Sequence, residues 1–207
     1  NRKEKYAEQT PQEEKEFAMF MAEFSNTLTL LKEKYPVFQF KGVEADDIAA
    51  YISMNLDKYG LDECWMVSSD KDWDLLINDR VSRFSTVTRK ETTVHNWDEH
   101  YDFDIPDYIT FKCLTGDKGD NVPGIPGIGP KRAVQLMEQY GDVFDIYCAC
   151  PIDGKYKYIQ NLNENAEQLL LNVELMDLVT YAETAIGKEN TEVINTTLER
   201  HLNENRL

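Results

Sequence analysis

The chain has 207 residues and a mass of 24.0 kDa, and 42% of its residues are hydrophobic, enough for one full α/β domain or two small lobes. Its 22 Lys and Arg against 38 Asp and Glu leave a net charge of −16, which excludes a basic protein that coats nucleic acid indiscriminately, so any contact with DNA must be local. The four cysteines, Cys64, Cys113, Cys148 and Cys150, form no zinc quartet with histidines and read as reduced thiols of a cytosolic protein, and no apolar run approaches the ~20 residues of a membrane span.

Residues 1–10 are polar. After Pro11, the residues Phe17, Phe20, Met21, Phe24, Leu28 and Leu31 recur at about 3.6-residue spacing and predict an amphipathic helix. It ends near Tyr35-Pro36, because proline disfavours helical geometry at the residue before it. Val37-Phe38-Gln39-Phe40 alternates as a short strand. From Val43, the positions of Ala45, Ile48, Ala49, Ile52 and Leu56 predict a second helix, which Gly60 stops. Cys64-Trp65-Met66-Val67 is nearly all apolar and suits a buried parallel strand that ends at Ser68-Ser69-Asp70. A short helix around Trp73–Ile77 and a strand over Val81–Val87 follow, and the alternation predicts an α/β layer with a parallel sheet. Past Asp98 the pattern is mostly helical, over Ile105–Thr115, Pro130–Tyr140 and residues 163–177, and no role is assigned to the polar tail beyond Gly187.

Acidic residues recur where open α/β sheets place their sites, at the carboxyl ends of strands and the starts of helices. Glu44 and Asp47 share a face of a first helical turn, and Asp46 reaches the same ion if that turn frays. The helix dipole alone accounts for one or two acids there, not for three. Asp70 and Asp72 project from one side of a strand end, although alone they read as an ordinary strand-to-helix turn, and Asp74 reads as a helix-face acid. Asp117 and Asp120 are spaced one helical turn apart, just before a Gly127-Ile128-Gly129 turn that opens a helix carrying Lys131 and Arg132. Such a turn presents backbone N–H groups to a phosphate. Carboxylates gathered without bases repel one another, and two divalent cations about 3.5–4 Å apart resolve this while holding a scissile phosphate. The three histidines, His95, His100 and His201, are too scattered for a zinc site or a triad, and Ser68 and Ser69 lack a histidine base nearby. Trp65, Trp73 and Trp97 read as core or lid residues, and Tyr6 as a surface residue.

Four ordered segments, Gly42-Val43-Glu44-Ala45-Asp46-Asp47, Ser69-Asp70-Lys71-Asp72-Trp73-Asp74, Gly116-Asp117-Lys118-Gly119-Asp120-Asn121 and Gly124-Ile125-Pro126-Gly127-Ile128-Gly129-Pro130-Lys131-Arg132, resemble the 5′-nuclease family. That family includes tailed-phage 5′-to-3′ exonucleases, flap endonucleases and the 5′-nuclease domain of bacterial DNA polymerase I. The phage branch is the most similar, and Lys155–Leu162 also looks like it. The resemblance implies an α/β, parallel-sheet, PIN-like nuclease core with a mostly helical C-terminal lobe containing a helix-three-turn-helix. It divides the chain into an arch-descending helix (1–36), a metal-site core (37–104) and a DNA-binding lobe (105–207). It implies an Mg²⁺ pair, with Mn²⁺ as a substitute, on Glu44, Asp46, Asp47, Asp70, Asp72, Asp117 and Asp120. Lys112 matches a family lysine near the DNA backbone, and Arg2 looks like an arch-base residue. Gly127, Ile128, Gly129, Lys131 and Arg132 match the duplex-gripping turn, which often holds a K⁺ on backbone carbonyls. The implied activity is hydrolysis of branched or 5′-ended DNA near the junction of single and double strands, in the cytoplasm, the host's if the source is viral.

The family's two further metal aspartates, and a lysine and tyrosine at its arch base, would all precede Asn1. The expectation is a fragment or split protein whose missing ligands come from an N-terminal fragment or partner chain, with weak or no cleavage by residues 1–207 alone. Two rival readings stand beside it: a DNA-structure-binding module with a degenerate or incomplete metal site, and a ribonuclease of the related acidic-pocket type, which needs no helix-three-turn-helix.

Overall fold

The structure is a computed structural model that describes residues 10–205, so Arg2 and Tyr6 lie outside the described residues. Two compact units are present, Asn1–Lys41 with Glu192–Leu207, and Gly42–Thr191. The boundary expected between 104 and 105 falls inside the second.

In the first unit, helix α1 (Pro11–Lys32) starts at a capping box: Glu13 N–H donates to the Thr10 hydroxyl, and Thr10 N–H donates to the Glu13 carboxylate at 2.7 Å. Pro11 sits at the first helical position, where its missing N–H costs nothing. The apolar stripe is in register with this helix, yet α1 buries no residue, and Phe20 and Phe24 stack on each other in the open. Residues 37–40 form no strand, contrary to the alternation, because no neighbouring strand pairs with them among the described residues; Phe38 and Phe40 stack on each other instead.

The second unit begins with α2 (Ala45–Met54), whose run breaks at Asn55 and resumes as the single turn α3 (Leu56–Tyr59). Gly60 ends it in the left-handed region at φ 60°, where a Cβ would be strained. Strand β1 (Cys64–Val67) pairs parallel with β2 (Val81–Ser85), and β2 pairs antiparallel with β3 (Lys90–Thr92). The sheet is thus mixed where the alternation predicts a parallel one. The link between β2 and β3 spans only residues 86–89, far short of the dozen or more residues that a parallel crossover needs. Val87 accordingly leaves the predicted strand and is exposed. β1 lies at the sheet edge and buries only Met66; Trp65 and Val67 stay exposed, so the strand is not covered on both faces as its composition suggests.

Behind the sheet, Ala50, Leu56, Met66, Leu76, Ile77, Val81, Trp97 and Ala182 form one core. Helix α9 (Leu178–Ile186) packs on α2, with the fully buried Ala182 and Ala50 giving both helices a small-residue surface. A second core surrounds α4 (Tyr108–Thr115), against which α5 (Pro130–Tyr140) and α8 (Ala166–Met176) pack, with α6 (Val143–Ala149) and α7 (Lys157–Glu164) completing it. Leu114, Ile146, Leu162 and Leu169 are its largest buried aliphatics, each worth about 1.5–3 kcal/mol of burial. Its one buried amide is satisfied, Asn172 donating to the carbonyls of Cys113 and Pro123 at 2.9 and 2.8 Å. Phe103 and Phe111 pack against both cores. The polar tail is helical, as α10 (Lys188–Glu204). No helix among the described residues is long and apolar enough to cross a membrane.

Candidate metal centre and nucleic-acid interface

The segment leaving β1 is shaped by its own polar side chains. Asp70 N–H donates to the Ser68 hydroxyl at 3.1 Å, and Asp72 N–H donates to an Asp70 carboxylate oxygen at 3.0 Å. A 3₁₀ helix follows over Asp72–Leu76. Within it, Asp74 is not a surface acid: it is 1% exposed and paired with the equally buried Arg83 through two N–H donors, Nη2 to Oδ2 at 2.8 Å and Nε to Oδ1. Tyr101 donates to the same carboxylate at 2.6 Å. Arg83 Nη1 also donates to the Ser68 carbonyl at 3.1 Å, and Tyr108 donates to the Lys71 carbonyl at 3.1 Å. One buried network therefore fixes both flanks of the loop that presents Asp70 and Asp72.

Asp117 sits in a two-residue strand, β4 (Gly116–Asp117), antiparallel to β5 (Val122–Pro123). Its Oδ1 accepts from Gly119 N–H at 2.7 Å and Asp120 N–H at 3.2 Å. The spacing of Asp117 and Asp120 thus comes from a tight turn, with Asn121 at φ 60°, rather than from a helical turn. Gly116 has φ 74°, and a Cβ there would lie 2.2 Å from Gly124 N.

These elements bring oxygens of Asp72, Asp117 and Asp120 within 4.8 Å of one another, the one such group among the described residues. Between them reaches Lys112 from α4, buried along its stem, donating to Asp72 and, at 3.2 Å, to Asp117. Burial, and then the nearby Asp117 and Asp70 charges, push the Asp72 carboxyl above its ordinary value despite Lys112. Asp117 feels the same burial, but its backbone N–H donors and Lys112 outweigh it and hold its carboxyl low. The ammonium in turn is held charged: burial pulls Lys112 down, and Asp72 and Asp117 more than restore it. Three carboxylates with an exposed edge at Asp120 are hard oxygen donors of the kind that suit Mg²⁺, Mn²⁺ or Ca²⁺.

Glu44, Asp46, Asp47 and Asp70 stand outside that group. Glu44 occupies the N-cap of α2 without a capping side-chain bond, and Asp46 accepts from Trp73 Nε1 at 2.7 Å, which ties the first turn of α2 to the 3₁₀ helix. Desolvation, opposed by a backbone bond and reinforced by Asp46, raises the Asp47 carboxyl. Asp70 is exposed and is felt by Asp72 as charge.

On the glycine-rich side, Gly127 takes φ 87° and Gly129 forms the N-cap of α5, where no side chain caps the first N–H groups and Pro130 holds the first position. Ile128 is buried beneath and anchors the turn, while Lys131 is exposed. Arg132 folds back: its Nη1 donates to the Gly127 carbonyl, and its guanidinium lies 4.5 Å from the centre of the Tyr158 ring.

The residues that sequence reasoning missed are Asp74, Arg83, Tyr101 and Tyr108. Their signal was present in β2, where the period of two sets Arg83 on the same buried face as Val81 and Ser85. A cation there requires a buried acid.

A family described as 5′-3′ exonuclease, C-terminal SAM fold, matches residues 104–199. The flap endonuclease of Escherichia phage T5 is 42% identical over 196 residues, covering 94% of this chain and 67% of that protein. The 5′-3′ exonuclease of Halalkalibacterium halodurans is 31% identical over 163 residues, 76% of this chain and 54% of that protein, so the chain spans between half and two thirds of these relatives. A crystal structure of the phage T5 flap endonuclease in a pseudo-enzyme-product complex with DNA and metal ions superposes with a TM-score of 0.89 at 39% identity, over 98% of this chain and 76% of that one.

Proposed function

Because the chain belongs to the 5′-3′ exonuclease and flap endonuclease family, we propose that it performs that family's work as a divalent-metal-dependent 5′ nuclease, hydrolysing DNA phosphodiesters near junctions of single and double strands. The observation that carries the reading is the convergence of Asp72, from the segment after β1, with Asp117 and Asp120, from the turn after β4, on one point with oxygens within 4.8 Å. These three would hold a divalent ion, and Asp70, Glu44, Asp46 and Asp47, with ligands from the N-terminal fragment or partner chain, would supply the shell of a second. The chemistry supplied by Mg²⁺ or Mn²⁺ there is polarisation of the phosphodiester and a water acidic enough to attack at neutral pH.

The protein's own groups do the rest. Lys112, held charged among the carboxylates, offsets the negative charge of the scissile phosphate. The uncapped N-terminus of α5 and Lys131 grip phosphates of the duplex in a helix-three-turn-helix, whose turn carbonyls suit a K⁺ ion. The setting is the cytoplasm, the host's if the source is viral.

The rival reading, a DNA-structure-binding module with an incomplete metal site, draws on one observation: four of the expected ligands, Glu44, Asp46, Asp47 and Asp70, stand outside the gathered group. A labelled 5′-flap DNA separates the two. Cleavage near the junction in millimolar Mg²⁺, none in EDTA, and loss of cutting but not of duplex affinity in Asp117→Asn support the nuclease. Cutting that survives EDTA or Asp117→Asn overturns the site, and binding without cutting under any divalent ion, by the chain reconstituted with the N-terminal fragment or partner chain, establishes the module.

A further inference from the structure

Two tryptophans donate their indole N–H groups, and to different kinds of acceptor. Trp97 donates to a backbone carbonyl, that of Phe103, at 2.6 Å, which satisfies a buried ring. Trp73 donates instead to a carboxylate, Asp46 Oδ1 at 2.7 Å, from 27 residues away in sequence. An ionised acceptor makes such a bond roughly twice as strong as a neutral one.

The donor is held more firmly than the acceptor. The half-buried Trp73 ring packs against the core around Leu76, Ile77 and Val81, and its backbone lies in the 3₁₀ helix Asp72–Leu76, where the buried Asp74–Arg83 pair anchors the next residue. Asp46 stands in the first turn of α2, where an aspartate without a partner exchanges among its rotamers. The bond therefore orients Asp46, and with Oδ1 engaged it presents the other oxygen. Trp73 also follows directly on Asp72, a member of the gathered group Asp72, Asp117 and Asp120. One short turn thus carries both a carboxylate of that group and the donor that aims a carboxylate standing outside it.

We propose that Trp73 is a positioning residue, which orients Asp46 as an ion ligand and sets its place relative to Asp72. Hydrogen-bond partners of this kind fix the direction of a ligating carboxylate, and their loss weakens ion binding even though they never touch the ion. The inference rests on reading the carboxylates as a divalent-metal centre, and the experiment keeps the two apart.

Mn²⁺ affinity of residues 1–207 is measured by calorimetry for the wild type, Trp73→Phe, Asp46→Ala, the two combined, and Asp117→Asn. Benzothienylalanine at position 73, which keeps the shape of the ring and replaces N–H by sulfur, guards against loosening of the core by the smaller phenylalanine. Loss of the donor in either replacement is expected to weaken Mn²⁺ about 10-fold. Asp46→Ala should weaken it at least as much, and removing the donor in that background should cost nothing further. An equal loss from removing the donor in both backgrounds refutes the proposal, because Trp73 then acts through packing alone. Full affinity with benzothienylalanine alongside a loss in Asp46→Ala also refutes it, and leaves Asp46 a ligand. Full affinity in Asp46→Ala alongside a loss in Asp117→Asn refutes it by removing Asp46 from the centre, while the three-acid group stands. Full affinity in Asp117→Asn, or no Mn²⁺ binding by the wild type, overturns the metal-centre reading and the proposal with it.

Discussion

Removing the Asp74 carboxylate tests whether the buried network supports the fold and the metal centre separately. The side chains of Arg83 and Asp74 are 6% and 1% exposed, so Asp74→Ala strands a guanidinium in the core together with the Tyr101 hydroxyl. Breaking a buried pair by deleting one partner costs about 3–5 kcal/mol, because the remaining charge keeps its desolvation penalty. At roughly 2–4 °C per kcal/mol for a chain of this size, the melting midpoint should fall by about 6–20 °C. Asp74→Leu combined with Arg83→Met removes both charges and should recover most of that loss. The same double variant lacks the Arg83 bond to the Ser68 carbonyl, which steadies the loop bearing Asp70 and Asp72. Its Mn²⁺ affinity, measured by calorimetry, should therefore stay below wild type even though its stability is restored. A loss under about 1 kcal/mol for Asp74→Ala, or full metal affinity in the stable double variant, would refute the reasoning.

Gly116→Ala forces a left-handed backbone at φ 74° and a Cβ at 2.2 Å from Gly124 N; it should cost about 3 kcal/mol or more, shift Asp117, and abolish metal binding in the same calorimetric titration. Asp72 has a raised carboxyl pKa when folded, so the stability it contributes is full below the ordinary value of 3.8 and is lost as pH rises through the raised value. Urea midpoints of wild type and Asp72→Asn, followed upward in pH without metal, should therefore diverge in favour of the variant, and millimolar Mg²⁺ should reverse the order.

The helices were legible in sequence wherever the local signal and the packing agreed. Pro130 to Tyr140 is bounded by a proline at the first position and a glycine after the last, and it folds over that span. Gly60 similarly stops its helix by a backbone requirement that no neighbour alters. Residues 37–40 and the direction of β3 were not legible, because a strand exists only with a partner and alternation cannot name one. Of the candidate site, the gathering of acids was expected, and Asp72, Asp117 and Asp120 do gather, but which of the seven would do so was not legible. Asp74 and Asp72 are two apart in sequence, and the 3₁₀ turn sends one into the core and the other to the rim. Asp117 and Asp120 have helical spacing, yet Gly116 and Asn121 at positive φ turn that spacing into a tight loop.

The fold handles crowded acids in two ways, and the contrast bears on how the centre works. Asp74 is neutralised by Arg83, whose planar fork gives two parallel bonds in a site closed to solvent, an arrangement with no room for exchange. Asp72 and Asp117 are neutralised by Lys112, a compact charge on a flexible stem that can slide between oxygens. Lys112 compensates the two unequally, since Asp117 also has two backbone donors whereas Asp72 faces Asp70 and Asp117 with only the ammonium to help it. Asp72 is therefore less compensated than Asp117 and, in the proposed centre, would gain more than Asp117 from an arriving cation. In the proposed centre the energy of ion binding would be concentrated at the carboxylate that the Arg83 and Tyr108 bonds to its loop hold in place, which would couple rigidity of the core to affinity at the rim through the five residues Ser68 to Asp72.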